Sequence, residues 1–149
     1  MGKSVQVTLT VTNGAYSIGD VVGGLITLPK ESKRGEKSTI INSIVLAGVV
    51  AIPYELWLFS ANIATPAADN AALALVAADL SKVLGVIPIG TADYYAAQSA
   101  HNVATVRQVG KEVQADSGTN NIYAYLKATA VTSPGTTTLI LTVDFEYLP

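Results

Sequence analysis

The single histidine, His101, is the side chain best suited to acid–base chemistry, and it follows Ser99 by two positions. Residues two apart on an extended chain point to the same face, so His101 could act as a general base toward the Ser99 hydroxyl. Such a spacing also arises by coincidence, and a histidine in a polar loop is the simpler interpretation. We therefore predict no catalytic role for His101.

The sequence lacks the sets of residues that form the common metal and phosphate sites. With one histidine and no cysteine, the chain can form neither an imidazole cluster nor a thiolate site. The segment 35–38, Gly-Glu-Lys-Ser, lacks the glycines of a phosphate-binding loop. We predict no cofactor and no metal. The scattered acidic residues show no calcium-loop spacing: Asp69, Asp79, Asp93 and Asp116.

Asp144 and Glu146 share one face of a predicted strand. Glycoside hydrolysis uses two carboxylates whose separation is spatial, so the sequence leaves a glycosidase open. A solvated strand face is the ordinary explanation of such a pair. We predict that the chain is not an enzyme.

Composition indicates one domain, residues 1–149, with an unusually uncharged surface. Only 13% of the residues are charged, against roughly 25% in typical domains, and the net charge is −2. Because no basic stripe interleaved with aromatic residues occurs, we expect no nucleic-acid partner. The apolar run 44–52 is too short to span a membrane and ends at Pro53. The first residues turn polar early, so we predict no secretory signal and expect the chain to act where it is made.

Apolar and polar residues alternate along several segments, which is typical of half-buried strands. Residues 5–11 and 139–147 alternate most regularly, and Gly23-Gly24 predicts a bulge or a close backbone approach. Residues 44–52 are apolar on both faces, which predicts a central strand covered on both sides. Residues 54–59, with Trp57, are its expected antiparallel neighbour.

About eight or nine short strands separated by turns predict an all-β fold, a jelly-roll-like β-sandwich. One short helix is expected over residues 70–84, where Leu73, Val76 and Leu80 have helical spacing. Asp69 or Asn70 would cap this helix.

Six residues are candidates for contacts with other proteins. Lys3 and Ser4 would form an N-terminal arm, and Lys33 and Arg34 lie in the charged segment 30–37. A solvated loop is the alternative for that segment. Tyrosine is enriched at protein contacts, so Tyr94 and Tyr95, in a stretch (92–100) that we expect to be loop, are possible anchors; packing in the core or the loop is the alternative.

The order of features resembles a group of small tailed-bacteriophage structural proteins encoded near the major capsid protein. The resemblance covers nearly the whole chain, through structural rather than catalytic signatures. The resembling segments are Tyr16 to Leu25 (Tyr-Ser-Ile-Gly-Asp-Val-Val-Gly-Gly-Leu), Leu56 to Phe59, Asp69 to Leu73, Ala78 to Leu80, Leu84 to Ile87 and, by pattern, Tyr123 to Leu126 with the final strand.

This resemblance implies a capsid decoration, or cement, protein. Such a protein is a β-sandwich bound to the exterior of the virion head, as a homotrimer or homodimer, after synthesis in the bacterial cytoplasm. Its partner would be the major capsid protein. The resemblance supplies no catalytic residues.

Two other functions stay open. One is a different virion part, such as a tail, neck or head-fibre component. The other is a carbohydrate-binding module, which would use exposed aromatic residues; Trp57 lies in an apolar segment and is a poor candidate. The remaining aromatic candidates are Tyr94, Tyr95, Tyr123 and Tyr125.

Overall fold

The computed structural model describes residues 2–29, 38–97, 100–114 and 120–147. Within these ranges the regular structure consists of nine β-strands and two short 3₁₀ helices, Ala77–Lys82 and Thr91–Asp93. The strands are β1 Gly2–Thr10, β2 Val21–Pro29, β3 Ser38–Gly48, β4 Tyr54–Phe59, β5 Val83–Ile89, β6 Tyr94–Ala97, β7 His101–Gln114, β8 Asn121–Ala128 and β9 Thr138–Tyr147.

The strands form two antiparallel sheets, with the orders β1-β9-β3-β7-β6 and β2-β8-β4-β5. Apart from the short β6, the pairing is nested: β1 pairs with β9, β2 with β8, β3 with β7 and β4 with β5. Nested pairing across two packed sheets is the arrangement of a jelly roll. The predicted all-β sandwich is confirmed.

The core lies between the two sheets and follows the alternation in the sequence. In β1, Val5 and Leu9 are buried while Gln6 and Thr8 are exposed. Each fully buried side chain of this kind contributes roughly 1.5–3 kcal/mol. β2 comes close to β1 at the predicted bulge, where Gly23 adopts φ +84° and lies against Leu9.

The expected hairpin between the central apolar strand and the Trp57 segment is wrong. β3 is central as predicted, but it lies between β9 and β7, whereas β4 lies in the other sheet between β8 and β5. The connection between them carries the buried Ile52 and crosses from one sheet to the other. A jelly roll places consecutive strands in opposite sheets here, so neighbours in sequence are not neighbours in a sheet.

The predicted helix over residues 70–84 is also wrong, because only Ala77–Lys82 is helical, and it is a 3₁₀ helix. Asn70 adopts φ +60°, and Ala72 forms an isolated antiparallel bridge with Asp20. The N–H of Leu73 donates to the carbonyl of Gly19 at 3.0 Å. A short isolated helix is marginal in water, so these backbone pairings outweigh its propensity.

The stretch expected as loop around residues 92–100 contains a 3₁₀ turn and β6, which pairs with the start of β7. β7 is a single long strand in which Gln108 and Gly110 have positive φ. No helix in the described part of the chain is long and apolar enough to span a membrane.

Candidate protein-contact surface

No described residue forms a second layer over the outer side of the five-stranded sheet. We name this outer side the open face, meaning the outward-pointing residues of β1, β9, β3, β7 and β6. None of these residues is buried in the part of the chain that the structure describes. On β3 the outward residues include the apolar Ile40, Val45 and Ala47 beside the polar Ser43, and this central strand is covered on one side and not on both as predicted.

The register brings apolar and hydroxyl side chains together in the middle of the open face. Ile140 is 38% exposed and Tyr95 is 69% exposed. These two residues belong to one row of the open face, and the row next to it contains no charged residue: Gln6, Thr142, Val45 and Thr105. The row that contains Ile140 and Tyr95 crosses all five strands: Thr8, Ile140, Ala47, Val103 and Tyr95.

Charge gathers at one end of the open face. Asp144 accepts hydrogen bonds from the hydroxyls of Ser4 and Ser43, its neighbours on the two flanking strands. Arg107 continues the same row on β7. A shallow groove of about 510 Å³ at this end is lined by Gly2, Lys3, Ser4, Asn42, Asp144, Phe145 and Glu146. Both predicted paired carboxylates line this groove, and one of them, Asp144, is held by two serines.

Part of the outer side of the four-stranded sheet, around Phe59 and Tyr125, is covered by the chain itself. Residues 60–82, which we name the covering segment, connect β4 to β5. Beneath it, Phe59 packs edge-on to Tyr125, with ring centroids 5.9 Å apart. The covering segment supplies Ile63 and Ala67 to this second apolar cluster, with Leu73 and Leu75 packed against it. The two faces of the sandwich therefore differ: one is partly covered by this segment, and the other has no such cover among the described residues.

Trp57 borders the covered side and is not an open platform for a sugar ring. The ammonium group of Lys127 lies 4.9 Å from the centre of its ring. Glu55 accepts hydrogen bonds from the indole N–H at 2.9 Å and forms an ion pair with Lys127 at 2.8 Å. The hydrogen bond from Lys127, followed by that from Trp57, lowers the pKa of Glu55. One ring face is thus occupied by a cation.

A buried carboxylate, Asp79, fastens the covering segment. It accepts hydrogen bonds from the N–H groups of Ala64 and Val76 at 2.9 and 3.1 Å and from Lys82 at 3.0 Å. Burial acts to raise the pKa of Asp79, but these hydrogen bonds and the Lys82 charge outweigh it and lower the pKa. Lys82 also donates to the carbonyl of Asn62 at 3.0 Å.

Asp69 does not cap a helix as predicted, because its carboxylate binds the connection between β1 and β2 and the start of β2. It accepts hydrogen bonds from the N–H and hydroxyl of Thr12 at 2.9 and 2.6 Å, from Tyr16 at 2.7 Å and from the N–H of Gly23 at 2.7 Å. Burial acts to raise its pKa, but these hydrogen bonds outweigh burial and lower the pKa. Burial and the bond to Asp69 raise the pKa of Tyr16 to about 12.

The candidate interface residues lie in different environments. Lys3 and Ser4 belong to strand β1 and not to a separate arm. Tyr94 is half-buried and donates its hydroxyl to the carbonyl of Ile52 at 2.7 Å, and burial raises its pKa. Tyr95 points outward on the open face. Lys33, Arg34 and Ser99 lie outside the described residues, and His101 is exposed at the start of β7.

The sequence contained one signal for the open face, the apolar residues on both sides of β3. It could not show that only one side is covered. The described residues contain no group of three or more His, Asp and Glu side chains that could hold a metal ion.

No protein-family model matches the chain, and no curated protein is significantly similar to it.

Proposed function

We propose that this chain is a virion structural protein that binds the outer surface of a bacteriophage head and stabilises the capsid lattice. The sequence resemblance supplies the class, a decoration or cement protein without catalysis. Its partners are the major capsid protein and further copies of itself, in a trimer or a dimer. Its location is the virion exterior.

The open face is the observation that carries this proposal. Ile140, Ala47 and Val103 place three apolar side chains next to one another in one row of this outward sheet face. Charged residues are depleted at the centres of protein interfaces, and aromatic residues such as the exposed Tyr95 are enriched there. We assign this face to the capsid protein.

The mechanism is mechanical rather than chemical. DNA packed in a head pushes outward on the capsid lattice. A protein that binds assembled subunits and not separated ones stabilises the assembly by mass action. At a free concentration of about 100 times its Kd, each filled site adds about 2.7 kcal/mol.

The first experiment is the copy number of this chain in purified virions, measured by quantitative mass spectrometry against the major capsid protein. A fixed ratio near the abundance of the capsid protein supports decoration. A handful of copies would move the chain to the tail, the neck or a head fibre. Absence from virions would overturn the proposal and favour the alternative of a carbohydrate-binding module, which a glycan array tests directly.

The second experiment locates the contact with two matched substitutions. Ile140 on the open face and Val86 on the opposite sheet are 38% and 39% exposed, so lysine is accommodated equally well at both positions. Heads that lack the protein are mixed with each purified variant and pelleted. We expect Ile140→Lys to lower the bound amount about tenfold, since an unpaired charge enters the contact, and Val86→Lys to bind like the wild type. Equal binding of both variants would remove the open face as the contact.

A further inference from the structure

The two sheets have four edges, and three of them carry features that block pairing with another strand. β6 is only four residues long, and the part of β7 beyond it is irregular, with positive φ at Gln108 and Gly110. β5 contains Pro88 and a register shift where it meets β4. β2 has a bulge at Gly23 and Gly24 and ends at Pro29. Short strands, prolines and bulges are the devices by which proteins prevent the association of sheet edges.

The fourth edge, β1, carries none of these devices. It pairs with β9 in unbroken register from Gly2 to Thr10, without a bulge or a proline. Its one charged residue is Lys3, near one end. β1 is the terminal strand of its sheet, so in the described part of the chain its outer edge offers backbone N–H and C=O groups to another strand.

We propose that two copies of this chain associate through antiparallel pairing of their β1 strands, about a two-fold axis at Val7. The two five-stranded sheets then join into one sheet of ten strands, and the two open faces become continuous. The pairing involves residues 4–10, the uncharged stretch centred on Val7, and forms about eight backbone hydrogen bonds. The inference concerns the chain alone and does not depend on the capsid role.

The register follows from the alternation of β1. With the axis at Val7, Val5 lies opposite Leu9 of the second copy, and Gln6 lies opposite its Thr8. Apolar residues then remain on the core side of the joined sheet, and polar residues remain on the open side. The two Lys3 residues are roughly 27 Å apart, so no like charges oppose each other.

Self-complementarity favours a second copy over a foreign strand. Val5 and Leu9 are already buried in the single chain, whereas Val7 between them is only partly buried. The Val7 of a second copy would cover it.

Two double variants test the pairing and its register. Gln6→Lys with Thr8→Lys places two lysine pairs directly opposite each other, whereas Gln6→Glu with Thr8→Lys places glutamate opposite lysine. Both positions are exposed, so the fold is retained, which the fluorescence of the single Trp57 checks. In sedimentation velocity over a concentration series, we expect the all-lysine variant to raise the dimer Kd about tenfold and the mixed variant to dimerise like the wild type.

Disulfide trapping provides a second measurement, because the chain has no cysteine of its own. A mixture of Gln6→Cys and Thr8→Cys proteins should form the mixed disulfide in preference to either homodimer. A wild type that stays monomeric at its highest attainable concentration would overturn the proposal. Equal weakening by both double variants, or a trimer that neither variant changes, would do so as well. These outcomes are measured on the purified chain without capsids, so they are distinguishable from the virion experiments, although Gln6 and Thr8 also lie on the open face.

Discussion

The hydroxyl of Tyr16 donates a hydrogen bond of 2.7 Å to the carboxylate of Asp69, 53 positions further along the chain. Tyr16 lies between β1 and β2, and Asp69 lies in the covering segment between β4 and β5. The same carboxylate accepts hydrogen bonds from Thr12 and from the N–H of Gly23. One side chain therefore joins the two connections that close this end of the sandwich.

Replacing Asp69 with alanine should destabilise the protein by about 2 kcal/mol, because several hydrogen-bond donors lose their acceptor. Some of these donors can form hydrogen bonds with water instead, which limits the loss. The measurement is urea denaturation followed by Trp57 fluorescence. Asp93→Ala is the control, since Asp93 caps a short turn by accepting one hydrogen bond from the N–H of Gly90. It should cost about 1 kcal/mol or less. Equal losses in the two variants would show that Asp69 is only a local turn residue.

Acid should weaken the fold, and Asp69 should account for part of the loss. Its pKa is lowered in the folded state, so its contribution is fully present above the unfolded value, about 3.9. That contribution is lost as the pH falls through the folded pKa. The difference in urea midpoint between the wild type and Asp69→Asn should therefore be constant from neutral pH down to about pH 5 and shrink below about pH 4. A difference that is independent of pH would contradict the assignment.

Local alternation was sufficient to predict several strands. The residues predicted at 5–11 and 139–147 form β1 and β9, because a period of two needs only neighbouring residues to be recognised. Their pairing with each other is a contact across nearly the whole chain, for which the sequence holds no local signal.

The failures have a common cause in long-range contacts. Residues 70–76 have helical spacing, but the backbone of Leu73 pairs with Gly19 and Asp69 is engaged by Thr12 and Tyr16. The open face was missed for a related reason. Apolar residues on both sides of β3 indicate that both sides are to be covered, but they do not say whether the cover belongs to the same molecule.

The covering segment should loosen independently of the main core when Asp79 is neutralised. Asp79→Asn keeps the size of the side chain but removes the charge paired with Lys82. We expect faster tryptic cleavage at Lys82 and a red shift in the emission of Trp57, which packs against the second apolar cluster. Ser81→Ala removes only an exposed hydrogen bond and serves as the control. Protease resistance equal to that of the wild type would show that Asp79 does not fasten the segment.

The close approach of β2 to β1 should make Gly23 intolerant of any side chain. A Cβ at this position would lie 2.8 Å from the Cβ of Leu9, and the residue also has φ +84°. Gly19 separates the two effects, because it has φ +96° but no heavy atom within 4 Å of the added Cβ. We expect Gly19→Ala to cost about 1 kcal/mol, from the backbone alone, and Gly23→Ala about 3 kcal/mol, measured by urea denaturation. Leu9 belongs to β1, so the additional loss of stability in Gly23→Ala over Gly19→Ala measures the packing that holds this edge strand in place. Equal losses of stability in the two variants would mean that β1 can shift to admit a methyl group.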